Sequence, residues 1–274
     1  MIELADFHIH PDYSKDASGS IDEYCQQAIN IGLGSICFTT HYDKDPKRIE
    51  IDAIMIHDGM SLPLSDDSVA LYLNEIDEAK IKYSGSGLKV YRGLEIDFFQ
   101  GVEPEAKRIK EKFEFDFILG SVHCLENLSI SSHKESGDYW NNRSAEQMFD
   151  EYFAMLDQAA DCKYFDALGH LDYHIRFAPK YYGDAAFEID IENYDPIFEK
   201  LKKNNIGIEV NTKPFQNGQH DFHPSKNIIK RAVEFGVKIS SVGSDCHQPG
   251  LIGTGIKEAY EFLDQYGIKP EFPK

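Results

Sequence analysis

Short apolar runs alternate along the chain with longer stretches of mixed polarity. The runs fall at 4–10, 35–41, 89–96, 115–123, 165–171, 207–212 and 238–245, and most are rich in Ile, Val, Phe or Leu. That texture suits parallel strands covered by helices. Several intervening helices have readable starts. Ser20 with Glu23 makes a capping-box pattern before 24–31, and Ser144 with Gln147 makes another before 148–161. Pro104 opens 105–112 and Pro224 opens 225–235, since the fixed φ of proline suits a first helical turn. Gly236 and Gly267 stand where helix C-terminal glycines are expected. Seven strand–helix units with no repeat and no low-complexity linker predict an α/β fold, a closed (β/α)7 barrel forming a single domain over residues 1–274. An open doubly wound sheet has similar units but usually carries a Gly-rich first turn, and none follows 4–10. Segments 42–68 and 126–143 exceed simple connections, as lids, substrate walls or tolerated surface insertions do.

The histidines add chemistry to this frame. His8 and His10 end the first run as H-x-H, and the strand period of two sets them on one face, about 6–7 Å apart. His41 ends the second run, Glu95 lies near the end of the third, and His123 and His170 close the fourth and fifth. Asp245 and His247, again two apart, close the seventh. Five strands thus deliver a histidine to one edge of the sheet, which in a β/α barrel is the C-terminal face where active sites are built. A single H-x-H is weak evidence for a metal; the convergence is what predicts one. Imidazole and carboxylate donors without thiolate suit zinc, iron or manganese and disfavour a purely structural zinc site. His57, His133, His174, His220 and His223 fall in loops or just past strands and read as surface residues.

Charge narrows the partners. The 274 residues carry 28 Lys plus Arg against 47 Asp plus Glu, a net charge of −19, with 42% hydrophobic residues giving a globular balance. Such acidity argues against a nucleic-acid surface and against an anionic membrane. At face value it argues against a phosphorylated substrate too. No run approaches the roughly 18 apolar residues of a membrane span, and the N-terminus lacks a signal-peptide pattern, so a cytoplasmic location is expected. Cys25, Cys37, Cys124, Cys162 and Cys246 are scattered without C-x-x-C and read as reduced, buried thiols.

Taken together, the motifs resemble those of the PHP (polymerase and histidinol phosphatase) metal-dependent phosphoesterases along nearly the whole chain. They read Asp6-Phe7-His8-Ile9-His10, Thr39-Thr40-His41, Gly93-Leu94-Glu95-Ile96-Asp97, Gly120-Ser121-Val122-His123, Gly169-His170-Leu171-Asp172 and Gly243-Ser244-Asp245-Cys246-His247. The resemblance is strongest to histidinol-phosphate phosphatases of histidine biosynthesis. It implies a distorted TIM-like barrel of seven units and three divalent metal ions. One ion would take His8, His10, Glu95 and Asp245; Glu95 would bridge to a second on His123 and His170; a third would sit on Asp16, His41 and His247. For that last carboxylate the loop offers both Asp12 and Asp16, and family spacing favours Asp16.

The chemistry this implies is phosphomonoester hydrolysis. Water shared by two divalent ions loses a proton near neutral pH and attacks phosphorus in line, while the ions stabilise charge on the phosphate oxygens. Asp245, His247 or a water on a metal each suit protonation of the leaving alkoxide. Arg176, Lys213 and Arg143 are the candidate phosphate contacts. Three divalent ions would outweigh the three carboxylates that hold them, so the pocket would be positive within an acidic protein. The expected substrate is a small phosphomonoester, L-histidinol phosphate first and a sugar or nucleotide phosphate as the alternative. A non-catalytic binding module of this fold ranks lower because the ligand set is complete. A metal-dependent amidohydrolase barrel would usually place a Lys where Glu95 stands.

Overall fold

Each apolar run becomes a strand whose outer face is covered by a helix in the computed structural model, which describes residues 3–132 and 134–272. His133, one of the histidines set aside above, lies outside them. The barrel strands are β1 (Ala5–Ile9), β2 (Ser35–Phe38), β3 (Lys89–Asp97), β4 (Phe117–Ser121), β5 (Ala167–Leu168), β6 (Gly207–Asn211) and β7 (Ile239–Gly243). They pair in parallel and in chain order from β1 to β7. Helices α1 (Ile21–Ile31), α2 (Asp66–Tyr83), α3 (Glu103–Phe113), α4 (Ala145–Ala159), α5 (Asp195–Asn204), α6 (Lys226–Phe235) and α7 (Ile256–Gln265) return the chain between strands and after the last. The capping boxes at Ser20–Glu23 and Ser144–Gln147 form, and Ser65 with Ser68 makes a third at the start of α2. Gly236 ends α6 at φ +82°, a left-handed turn that a Cβ would strain.

The barrel is nearly closed. β1 meets β7 through one parallel bridge, Ile9 with Cys246, and His10 N–H donates to the Cys246 carbonyl at 2.9 Å. Below that bridge the fully buried carboxylate of Asp6 replaces the missing ladder, accepting from Ser244 N at 2.8 Å and Gly253 N at 2.9 Å. The seam is tight: a Cβ on Gly243 would stand 2.3 Å from the Cβ of His8 and 2.7 Å from a Glu209 oxygen, so only glycine fits there. Phe7 fills the lower barrel against Phe117, Tyr91 and Phe272. A register shift between Asp6 and Ile9 then turns His8 inward as well, so an irregularity in β1 aims the first candidate ligand.

Departures from the sequence expectation concentrate at strand ends. Residues 165–171 yield only a two-residue strand, because His170 turns to φ +22° directly after Gly169. The run 35–41 breaks after Phe38, and His41–Tyr42 pairs instead with Glu95–Ile96 of β3. The long segments are folded. The first holds a hairpin, Ile54–His57 with Met60–Pro63, and the second holds the helix Ser136–Trp140. His174 (0% exposed) and His223 (9%) are buried, which corrects their reading as surface residues: both are packed by elements distant in sequence. All five cysteines are free and buried. Among the described residues no helix is long and apolar enough to cross a membrane.

Candidate metal centre

The C-terminal ends of the strands converge on Glu95. Near the end of β3 and 1% exposed, it turns its two oxygens toward different partners. Oε2 faces His8 Nε2 and His10 Nε2, each at 3.4 Å, and His41 Nδ1 at 3.0 Å. Oε1 faces His170 Nε2 at 3.2 Å and His123 Nε2 at 3.5 Å, and accepts from Ser121 Oγ at 2.6 Å. Nitrogens also crowd one another: His8 Nε2 and His10 Nε2 are 2.9 Å apart, and His123 Nε2 and His170 Nε2 are 3.3 Å apart. Two imidazole lone pairs aimed at one point repel unless a proton or a cation lies between them. Glu95 Oε2 is buried and makes no hydrogen bond of good geometry among the described residues. A buried carboxylate in that state is costly unless a cation completes it. The donor set therefore fits divalent ions, and among the described residues three triads each bring their ligand atoms within 4.8 Å of one another: His8–His10–Glu95, His41–Glu95–His123 and His10–His41–His247.

Two acids complete the array. The Asp16 carboxylate lies 3.6 Å from His41 Nε2 and 3.5 Å from His247 Nε2, whereas Asp12 has Glu75, Glu23 and His57 as its charged neighbours, away from the cluster. Asp245 Oδ1 stands 3.8 Å from His10 Nε2 and 3.4 Å from His247 Nδ1. Asp245 is held at φ +51°, a backbone strain typical of side chains fixed for function. Burial alone would raise the Glu95 carboxyl, but His8 and His123 beside it hold it well below the usual range. Burial likewise opposes charge on His8, yet the carboxylates of Glu209, Glu95 and Asp245 raise it well above an ordinary histidine.

One functional residue escaped the sequence analysis. Glu209 of β6 is fully buried, with Oε1 at 2.7 Å from His8 Nδ1. Its Oε2 accepts from the His170 backbone N–H at 3.0 Å and from Asn211 Nδ2 at 3.1 Å. A carboxylate on Nδ1 fixes the tautomer that leaves Nε2 free to bind a metal. The signal was available: Glu209 and Asn211 are two apart in an otherwise apolar strand, hence on one inward face.

Above the histidines lies a cleft of about 760 Å³ lined in part by Asp16, Asp43, Asp97, Arg176 and Lys213. Arg176 forms no ion pair among the described residues and lies against the rings of Phe177 and Tyr173 at 5.3 and 5.8 Å. Lys213 Nζ contacts Asp245, at its carbonyl and at Oδ1 (3.4 Å), and reaches His247 Nδ1 at 3.2 Å. Arg143 is not brought to the site. It donates to Glu151 at 2.8 Å and lies over Tyr139, so neighbouring residues already satisfy it and it does not line the cleft.

A barrel of seven parallel strands with a carboxylate bridging histidine clusters at its C-terminal rim defines a metal-dependent enzyme class, and family comparison agrees. The chain belongs to the PHP domain family, whose model matches residues 6–213. A "Probable histidinol-phosphatase" of Deinococcus radiodurans is 28% identical over 97% of this chain and 95% of its own length. A histidinol-phosphatase of Lactococcus lactis is 26% identical over 96% and 91%. The crystal structure of histidinol phosphate phosphatase from Lactococcus lactis, complexed with zinc, L-histidinol and phosphate, shares the fold with a TM-score of 0.79, 21% identity, and coverage of 98% of this chain and 95% of that one.

Proposed function

We propose that this chain is a metal-dependent phosphomonoesterase that hydrolyses L-histidinol phosphate to L-histidinol and phosphate. The observation that carries the reading is Glu95, a buried carboxylate whose two oxygens face two separate groups of imidazoles. Full-length similarity to histidinol-phosphatases supplies the substrate. In this reading His8, His10, Glu95 and Asp245 hold one ion, Glu95, His123 and His170 a second, and Asp16, His41 and His247 a third. Divalent ions held there (zinc, iron or manganese) supply positive charge against the phosphate oxygens and bring the ionisation of water to neutral pH.

The remaining work falls to the chain itself. Arg176, free of any carboxylate partner among the described residues, offers its guanidinium to the phosphate. Lys213 adds a second positive charge while its contacts with Asp245 and His247 fix their orientation. Asp245 and His247 are the groups at hand to move a proton to the leaving alkoxide. Buried His8, His10 and His170 form a floor that excludes bulk water beneath the reacting phosphate. The barrel acts as one unit, since Asp245 and His247 come from the loop that follows its last strand, β7.

Purified protein supplied with Zn²⁺ or Mn²⁺ and a panel of phosphomonoesters tests the reading. The specificity constant for L-histidinol phosphate should exceed those for sugar and nucleotide phosphates; equality across the panel would overturn the substrate assignment.

A further inference from the structure

A second cavity, about 950 Å³, shares Arg176, Phe177 and Lys213 with the metal cleft. Those two basic side chains form the partition. No other Lys or Arg lines the second cavity among the described residues, and its far side is acceptor-rich. Asp172, 1% exposed, accepts from His223 Nδ1 at 2.7 Å through one oxygen and from Ser225 N at 2.9 Å through the other. Neutral His223 donating from Nδ1 to Asp172 presents a lone pair at Nε2, and Nε2 has no protein partner among the described residues. Asp221, on the same lining, uses Oδ1 to accept from Phe222 N (2.9 Å) and Lys226 N (3.1 Å), which leaves Oδ2 open. Tyr194, 1% exposed, adds a hydroxyl with no partner among the described residues.

The two cavities thus adjoin across Arg176, Phe177 and Lys213, with opposite polarity on the two sides. Arg176, Lys213 and the divalent ions the metal cleft would hold make one side positive; Asp172, Asp221 and the His223 lone pair make the other side negative and hydrogen-bond accepting. A phosphomonoester lying across the partition would meet cations at its phosphate and acceptors at its alcohol.

We infer that this second cavity seats the alcohol half of the substrate and selects an alcohol bearing N–H donors or a cationic nitrogen, with His223 and Asp221 as the specificity-determining residues. The inference rests on the phosphomonoesterase reading and deepens it. It explains how a site that grips any phosphate could discriminate among esters: a neutral alcohol would desolvate the Asp221 carboxylate and the His223 lone pair without repaying them. Asp172 touches no substrate here and is a positioning residue for His223.

The test compares the zinc-loaded full chain with His223→Phe, His223→Gln and Asp221→Asn, reading kcat/KM for L-histidinol phosphate against propyl phosphate, whose alcohol has no nitrogen. The expected result is at least a tenfold fall in that ratio for His223→Phe and Asp221→Asn, with zinc content unchanged and His223→Gln intermediate because its amide oxygen restores an acceptor. A ratio within twofold of wild type in both variants overturns the proposal. Asp221 is exposed, so its variant serves if a change at buried His223 prevents folding. A wild-type ratio near one would overturn the histidinol-phosphate reading instead. Calorimetric titration with L-histidinol then decides the cavity: binding weakened tenfold in Asp221→Asn supports it, and equal or undetectable binding in both proteins overturns it.

Discussion

Replacing Glu209 by Gln alters a single atom yet should loosen the metal centre. All three groups around this carboxylate are donors: His8 Nδ1 at Oε1, and the His170 backbone N–H and Asn211 Nδ2 at Oε2. The Asn211 orientation is fixed independently, because its Oδ1 accepts from Lys213 N at 2.9 Å. A glutamine has one acceptor oxygen, so its amide nitrogen must face either the His170–Asn211 pair or His8. In the first case two donors confront a donor. In the second, His8 must present Nδ1 as acceptor and carry its proton on Nε2, the atom that faces Glu95 and His10. Losing a charge-assisted hydrogen bond in a buried site costs about 1.5–3 kcal/mol. Loss of a carboxylate behind a ligating histidine typically weakens metal binding about 10–100-fold, or roughly 1.4–2.7 kcal/mol. Competition for zinc against a chromophoric chelator measures this directly, with circular dichroism of the metal-free protein as the folding control. Zinc affinity within twofold of wild type would refute the role given to Glu209.

Three further expectations concern separate parts of the molecule. Glu95→Gln should remove the charge shared by two imidazole groups, so elemental analysis should find at least two fewer ions per chain and turnover should vanish; full metal content with near-normal activity would refute the bridge. Arg176→Ala should lower kcat/KM about tenfold to a hundredfold, as expected for one charged hydrogen bond, and the division between kcat and KM reports whether the guanidinium acts in the ground or transition state. His174 packs against Tyr152 and Phe149 with centroids at 4.6 and 5.7 Å, and burial lowers its pKa from 6.5 to about 4. The unfolded chain takes up this proton first, so the residue's contribution is intact above pH 6.5 and is lost progressively as pH falls toward 4. The loss is about 3 kcal/mol at most. Denaturant midpoints measured from pH 7 to pH 4 should fall less steeply in His174→Phe than in wild type, and parallel curves would refute the assignment.

The sequence made the strands legible because their apolar runs are local signals, and the ligands legible because they cap those runs. What lay outside its reach was decided by contacts across the barrel. Asp12 and Asp16 differ little as residues; Asp16 reaches the cluster because Ser18 N bonds the His247 carbonyl at 2.9 Å and folds the first loop onto the end of β7. Arg143 looked available until Glu151, on α4, was seen to hold it. His223 looked like a loop residue, yet Asn211 and Asp172 draw it inward from two other strand ends. Glu209 was visible as a charge within an apolar strand, but the need for it arises only when the fold brings His8 of β1 and the His170 backbone N–H to its two oxygens. β5 is shorter than its apolar run because the strand pattern continues through a backbone turn at His170 that no local residue preference announces.

The seam between β1 and β7 also sets an order of events. His8 and His10 leave the ribosome first among the candidate ligands, and Asp245 and His247 last. The single bridge from Ile9 to Cys246 joins residues at nearly opposite ends of the chain. Until it forms, the proposed first site would lack Asp245 and the third would lack His247, so a nascent barrel of six strands would present those two sites incomplete. Full metal capture at those two sites would therefore await completion of the barrel. Ions held there would act as rivets across the weakest join, because a ligand bound only by the closed form raises stability with its own concentration.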